Sequence, residues 1–249
     1  MIWLDRNENQ FGPSPACHTA LLETAQEDVG VYSRDFLRGV KSTLSERLAE
    51  HYGVTEPQIL LSSGSEDMLK QIVHCYLRPG ETLLVPRYSW WYYAAAAREV
   101  DGLTMQYPLR IVDQNYGYDI SAIDTLIKLH QPRLVIIASP NNPTGNTLSD
   151  NDLIDLLRLY PETRFVLDEA YHGFAGIEHD ETPRLISLYP NLIVLRTFSK
   201  LYALASLRIG YAFAGSAYKK LTTYSARYLG YNTLSERIAL AAMEDDPLL

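Results

Sequence analysis

The sequence predicts an α/β fold, a mostly parallel seven-stranded sheet flanked by helices. Two observations predict it. Apolar runs of four to six residues, rich in Leu, Ile and Val, recur along the chain, as the buried strands of parallel sheets do. Between most of them lie longer stretches with helical periodicity, and that alternation builds α/β units. No internal repeat, linker or low-complexity tract interrupts the pattern.

The elements follow in order. "NENQFGPSP" (7–15) is loop-like, and Ser14 and Pro15 look like the N-cap and first residue of a helix running to about residue 27. Strands are expected at "QILLS" 58–62, "TLLV" 82–85, "LTMQY" 103–107, "RLVIIA" 133–138, "RFVLD" 164–168, "LIVLR" 192–196 and "IGYAFA" 209–214. Helical stretches cover 41–52, 65–77, 89–100, 120–130 and 149–160, and the last two, 216–229 and 232–244, have no strand after them. Ser149 reads as an N-cap, Gly53 as a helix stop and Pro79-Gly80 as a break.

Hydrophobic residues at 47% and charged residues at 21% are an ordinary globular mixture, enough for a sizeable core. The net charge of -8, without a basic block, argues against nucleic acid and anionic membrane surfaces as partners. Cys17 and Cys75 form no CxxC pair, so no disulfide framework is expected. The N-terminus "MIWLDRNENQ" is charged by position 5 and does not read as a signal peptide. No apolar run is long enough to span a bilayer, so the expected setting is cytoplasmic. The six histidines, His18, His51, His74, His130, His172 and His179, show no HxxxH, HExxH or Cys/His clustering, which argues against a metal site.

In an open α/β sheet, ligands bind beyond the carboxyl ends of the strands, so the residues there carry the functional reading. After 58–62, "SGSED" places Gly64, Ser65 and Glu66 at a helix start, where unpaired amides and the helix dipole favour an anion. Ser65 as a plain N-cap explains the same residues. After 82–85, Tyr88 in "PRYSWWYYAAAA" occupies the loop and can stack on a flat ring, while the other aromatics read as packing residues. "SPNNPTGN" is a proline-fixed loop whose Asn141 and Asn142 offer donors or bond their own loop. Asp168 in "DEAY" ends a buried strand and wants a cation or strong donor, or caps the next turn, with Tyr171 three residues on. Lys200 in "TFSK" follows another strand, either as a solvated charge or as a desolvated amine nucleophile. Arg208 precedes the last strand and can hold a phosphate or pair with an acid.

Individually each has a bland explanation. Together an anion nest, an aromatic, a fixed asparagine, a strand-end acid and a lysine with a trailing arginine map to one predicted sheet edge. They describe a planar, phosphorylated, pyridine-type cofactor held as a Schiff base by Lys200, with Asp168 on the ring nitrogen and Arg208 and the nest on the phosphate.

The stretches "NENQFGPSP", "SSGSED", "PRYSWWY", "SPNNPTGN", "DEAY" and "LRTFSKLYALASLRIGYAFA" resemble, in order and approximate spacing, the fold-type I pyridoxal-phosphate enzymes of the class I/II aminotransferase family, the histidinol-phosphate aminotransferases above all. The resemblance covers essentially the whole chain. It implies pyridoxal 5'-phosphate as cofactor, with Lys200 as the Schiff-base lysine and Asp168 as partner of the ring nitrogen. Asn142 and Tyr171 would bond the phenolic oxygen, and Tyr88 would stack on the ring. The Ser65 and Glu66 amides, with Ser199 and Arg208, would hold the phosphate. Tyr32 in "VYSR" is the candidate for a tyrosine reaching that phosphate from a partner subunit, so a homodimer is implied. Two departures stand out. Ser206 replaces the family's usual glycine in "LASLR", and "LSERIALAAMEDDPLL" stops at Leu249, where the family continues into a small C-terminal domain. That domain is therefore expected to be missing or truncated. The implied organisation is an N-terminal arm and first helix (1–28), a large cofactor domain (29–230) and the start of a small-domain segment (231–249).

The reaction implied moves an amino group from an amino acid or amino-alcohol phosphate to a 2-oxo acid, with Lys200 shuttling the proton and Asp168 keeping the ring nitrogen protonated. Two other readings share the cofactor residues. One is a pyridoxal-phosphate lyase of the threonine-phosphate decarboxylase type. The other is a cofactor-binding chain without full activity.

Overall fold

A computed structural model of the chain describes residues 5–176, 180, 182–225 and 230–245. Residues 226–229 of the helix expected over 216–229, His179, and the outer ends of the segments 1–28 and 231–249 lie outside the described residues.

The strands are β1 (Ile59–Ser62), β2 (Thr82–Pro86), β3 (Leu103–Tyr107), β4 (Leu109–Val112), β5 (Asn115–Tyr118), β6 (Leu134–Ala138), β7 (Arg164–Asp168), β8 (Leu192–Thr197) and β9 (Gly210–Ala214). Seven of them form one sheet in the order β1-β9-β8-β7-β6-β2-β3. The pairs β2·β3, β2·β6, β6·β7 and β7·β8 are parallel. β9 runs antiparallel to both β8 and β1. No helix long enough for a crossover separates β8 from β9, and a parallel pairing would need one. The return is what brings the end of β8, the start of β9 and the end of β1 to the same edge.

Helices cover both faces. They are α1 (Pro15–Leu22), α2 (Gln26–Val29), α3 (Thr43–Tyr52), α4 (Ser65–Tyr76), α5 (Tyr92–Arg98), α6 (Ile120–His130), α7 (Asp150–Leu159), α8 (Thr182–Leu188), α9 (Lys219–Tyr224) and α10 (Thr233–Glu244). On one face Leu44 and Leu48 of α3, Ile123 of α6, Leu156 of α7 and Ile238 of α10 pack on Leu61, Leu167 and Val194. On the other, Met68 and Ile72 of α4, Tyr93 and Ala96 of α5 and Leu221 of α9 pack on Leu60, Val166 and Leu195. The strand period of two assigns alternate residues to alternate faces, which puts Asp168 on the α4–α5 side with Val166. The starts are capped as the residue types dictate. Ser42 accepts from the Ser45 amide, Asp119 from Ala122 and Ser149 from Asp152.

All seven predicted sheet strands are present, each within a residue or two of its expected bounds. The helix expected from residue 15 to 27 is instead two pieces, α1 and α2. Thr24 Oγ1 donates to the Ala20 carbonyl at 2.9 Å, and this competes with helix continuation. The helix expected over 89–100 is shorter, because Ser89 is drawn into a bond with Asn141 Oδ1 at 2.6 Å. The β4–β5 hairpin was not expected. Its two-residue turn, Asp113 (φ 49°) and Gln114 (φ 67°), requires positive φ at both positions without the Asn-Gly signature.

Candidate active site

The end of β7, the β8–β9 return and the start of α4 surround a cavity of about 930 Å³. Ser65, Glu66, Asn142, Asp168, Tyr171, Ser199, Lys200 and Arg208 all line it. They come from five separate stretches of sequence, and the sheet topology brings them together.

The corner expected to take an anion is built on Gly64. It is the N-cap of α4, with φ 88° and no side-chain cap bond. That sets aside Ser65 as the capping residue and leaves the first-turn amides open to a ligand. Arg208 takes the space that a side chain on Gly64 would fill, its Nη2 lying 2.6 Å from the ideal Cβ position. Its guanidinium donates to the Ser199 hydroxyl at 3.4 Å and to the Ala205 carbonyl at 3.3 Å. Thr197 Oγ1 bonds Ser199 Oγ at 3.0 Å and accepts from the Ser199 amide at 3.1 Å. Gly210 is needed for the same corner, because a Cβ there would stand 2.6 Å from the Ser65 amide nitrogen.

Asp168 lies deeper and is 5% exposed. Its Oδ2 accepts from the Tyr93 hydroxyl at 2.7 Å and its Oδ1 from the Ala170 amide at 3.0 Å. Burial raises its pKa, and these two donors pull it back. The turn-capping bond to Ala170 and the cavity position coexist.

Lys200 Nζ donates to the carbonyls of Arg6, at 2.8 Å, and Asn7, at 3.2 Å. It stands 5.7 Å from the centre of the Tyr171 ring, whose hydroxyl accepts from Asn7 Nδ2 at 2.8 Å. Burial lowers the lysine pKa, Arg208 adds to the lowering and Glu8 opposes it. A partly desolvated amine of this kind is a usable nucleophile and base.

Asn141 and Asn142 of the 139–146 loop have separate tasks. Asn141 ties the loop down, donating to the Tyr88 carbonyl at 2.7 Å and accepting from Ser89. Asn142 faces the cavity.

Gly64 frames the corner without itself lining the cavity, and two further expected residues are not on its wall. Tyr88 is 48% exposed, and its ring leans edge-on against Tyr116 at 6.2 Å. It is turned toward the β4–β5 hairpin, and Trp90, Trp91 and Tyr93 supply the aromatic wall instead. Tyr32 is 68% exposed on the segment between α2 and α3 and does not line the cavity of its own chain. Sequence reasoning also missed Tyr93, Thr197 and the Arg6–Asn7 backbone. Tyr93 was hidden in a run of aromatics that reads as packing, and its partner lies 75 residues away.

Among the described residues no His, Cys, Asp or Glu cluster could hold a metal ion. Nor is any helix among them long and apolar enough to cross a membrane. Cys17 and Cys75 are buried and free.

Comparison with known proteins decides the family, since the aminotransferase class I and II family matches residues 1–249. The chain belongs to that family. A curated relative of this family chain, histidinol-phosphate aminotransferase 2 of Nitrosospira multiformis, is 33% identical over 249 residues, covering 99% of the chain and 61% of the relative. The crystal structure of histidinol-phosphate aminotransferase from Sinorhizobium meliloti in complex with pyridoxal-5'-phosphate superposes with a TM-score of 0.83 at 26% identity. That match covers 96% of this chain and 63% of the other. L-threonine-O-3-phosphate decarboxylase from Porphyromonas gingivalis shares the fold, with a TM-score of 0.75 at 23% identity, covering 98% of this chain and 70% of the other. The aminotransferase-family chain thus spans about three fifths of the length of the curated relative it matches.

Proposed function

We propose that this chain forms the cofactor-binding part of a pyridoxal-phosphate-dependent aminotransferase. It would move an amino group from an amino acid, or an amino-alcohol phosphate of the histidinol-phosphate type, to a 2-oxo acid. One observation carries the reading. A half-buried amine, a buried carboxyl and an open helix N-terminus with an arginine beside it line the same cavity.

The residues present fit pyridoxal 5'-phosphate. Gly64 lacks the Cβ that would exclude Arg208, and the first-turn amides of α4 have no side-chain cap. Ser65, Ser199 and Arg208 would hold the phosphate, Asn142 and Tyr171 would donate to the ring oxygen, and Lys200 would supply the covalent attachment. When bound, the cofactor supplies an electrophilic carbon and a ring that accepts electrons.

The chain's own residues do the rest. Asp168, held by two donors in a buried site, would keep a proton on the ring nitrogen. Lys200 Nζ would take the proton from the substrate Cα and return it at the neighbouring cofactor carbon, which its lowered pKa favours. Trp90, Trp91 and Tyr93 form the aromatic wall of the cavity on the α5 side. The exposed apolar residues Phe11, Leu22, Val31, Tyr32 and Leu37, spread over the arm and the segment after it, support a homodimer, which sedimentation of the purified chain checks.

The test is a half-reaction. Purified chain loaded with pyridoxal 5'-phosphate should release a keto acid from an amino-acid donor, or the corresponding keto-alcohol phosphate from an amino-alcohol phosphate. Its visible absorption should be lost, and should return on adding 2-oxoglutarate. Release of carbon dioxide would place the chain with the lyases. A bound cofactor that no amino donor changes would leave only a binding protein.

A further inference from the structure

Tyr93 Oη donates to Asp168 Oδ2 at 2.7 Å. Both groups are buried, Tyr93 at 3% and Asp168 at 5% exposure. Tyr93 sits on α5, with its ring edge-on to Trp90 at 5.7 Å.

The bond differs in origin from the other one on this carboxylate. The Ala170 amide reaches Oδ1 from two residues along the chain, as it would for any aspartate opening such a turn. Tyr93 comes from a different helix across the sheet face. With a donor on each oxygen, the carboxylate plane is fixed, and each oxygen keeps a lone pair for a further donor. A buried carboxylate without such donors takes up a proton instead. Tyr93 remains a donor throughout, since burial and the neighbouring Asp168 push its ionisation well above the ordinary tyrosine range.

The tyrosine hydroxyls of the opposite-face core do not substitute for it. Tyr107 and Tyr118 are buried nearby, but Tyr107 Oη donates to the Ile136 carbonyl at 3.0 Å and Tyr118 Oη to the Ala138 carbonyl.

Resting on the proposed reading of the cavity as a pyridoxal-phosphate site, we propose that Tyr93 is a positioning residue. Its hydroxyl fixes the Asp168 carboxylate as the acceptor for the cofactor's ring nitrogen. Without the hydroxyl, the proton shared between ring nitrogen and carboxylate shifts toward the carboxylate, and the ring becomes a weaker electron acceptor.

The experiment uses the whole chain and pyridoxal 5'-phosphate isotope-labelled at the ring nitrogen. Tyr93→Phe keeps the ring and its packing and removes one oxygen. The expected result is a folded protein whose cofactor dissociation constant rises about tenfold, the scale of one hydrogen bond to a charged group. Its ring-nitrogen NMR resonance moves toward that of unprotonated pyridine. A fluorinated tyrosine at position 93 donates more strongly in nearly the same shape, and it moves the resonance the opposite way. In an Asp168→Asn background, Tyr93→Phe produces no further movement. Wild-type binding with the resonance and affinity unchanged in both Tyr93 variants overturns the role and leaves the cofactor reading intact. Failure of the wild type to bind the cofactor overturns that reading and the role with it.

Discussion

The Arg208 guanidinium occupies the place of the side chain that Gly64 lacks, its Nη2 2.6 Å from the ideal Cβ position. Two constraints meet at this glycine, the close approach and a φ of 88°. Gly64→Ala should displace Arg208 from the anion corner. The dissociation constant of pyridoxal 5'-phosphate should rise by about 10- to 100-fold, with a smaller change for pyridoxal, which lacks the phosphate. Fluorescence titration with both compounds checks this.

Arg208→Gln should produce the same discrimination without backbone strain. Among the described residues Arg208 bonds to a hydroxyl and to carbonyls and forms no ion pair with a carboxylate. Its charge is therefore available to a phosphate. Added inorganic phosphate should compete with cofactor binding in the wild type and much less in the variant.

Much of this site is legible in the sequence. Asp168 and Lys200 can be placed because each follows an unbroken apolar run, and such runs end at the ligand edge of an α/β sheet. Arg208 precedes its strand, so its joining them depends on β9 running backwards, which apolar pattern alone does not reveal. The Tyr88 ring misleads for a similar reason. Its neighbour Tyr116 sits on a hairpin whose turn, Asp113-Gln114, lacks glycine and asparagine. Tyr93 is invisible as a partner of Asp168 because a contact across 75 residues leaves no local signal.

Glu169 and Arg196 sit behind the site, on the opposite face from Asp168. Arg196 is 1% exposed and lies 2.7 Å from Glu169 and 2.6 Å from Asp180, with its guanidinium 5.1 Å from the Tyr52 ring centre. Burial pushes the Glu169 carboxyl up to about 7 against the pull of this arginine. Arg196→Met takes the guanidinium away from two acids and leaves them beside His172, 3.9 Å from Glu169 and 3.4 Å from Asp180. It should cost about 3–5 kcal/mol of stability, measured by urea unfolding at neutral pH.

Glu236 predicts a pH dependence. It is buried near Ser42 and Asp35, and burial raises its pKa to about 7 from 4.5. A raised acid favours the fold while protonated in both states. Stability is thus full below pH 4.5, falls as the pH rises to about 7, and is flat beyond. The loss is on the order of 3 kcal/mol. Glu236→Gln should remove that slope in denaturant unfolding measured across the same window.

Lys200 is the proposed point of covalent attachment. Its amine is half-desolvated, so the rate of covalent capture should rise with pH to a midpoint below 10.5. The most direct measurement is to incubate the chain with pyridoxal 5'-phosphate, reduce with borohydride, digest, and locate the adduct by mass spectrometry. The expected result is one modified peptide carrying the adduct on Lys200, absent from Lys200→Ala. No adduct, or adducts spread over other lysines and unchanged in Lys200→Ala, would contradict the account.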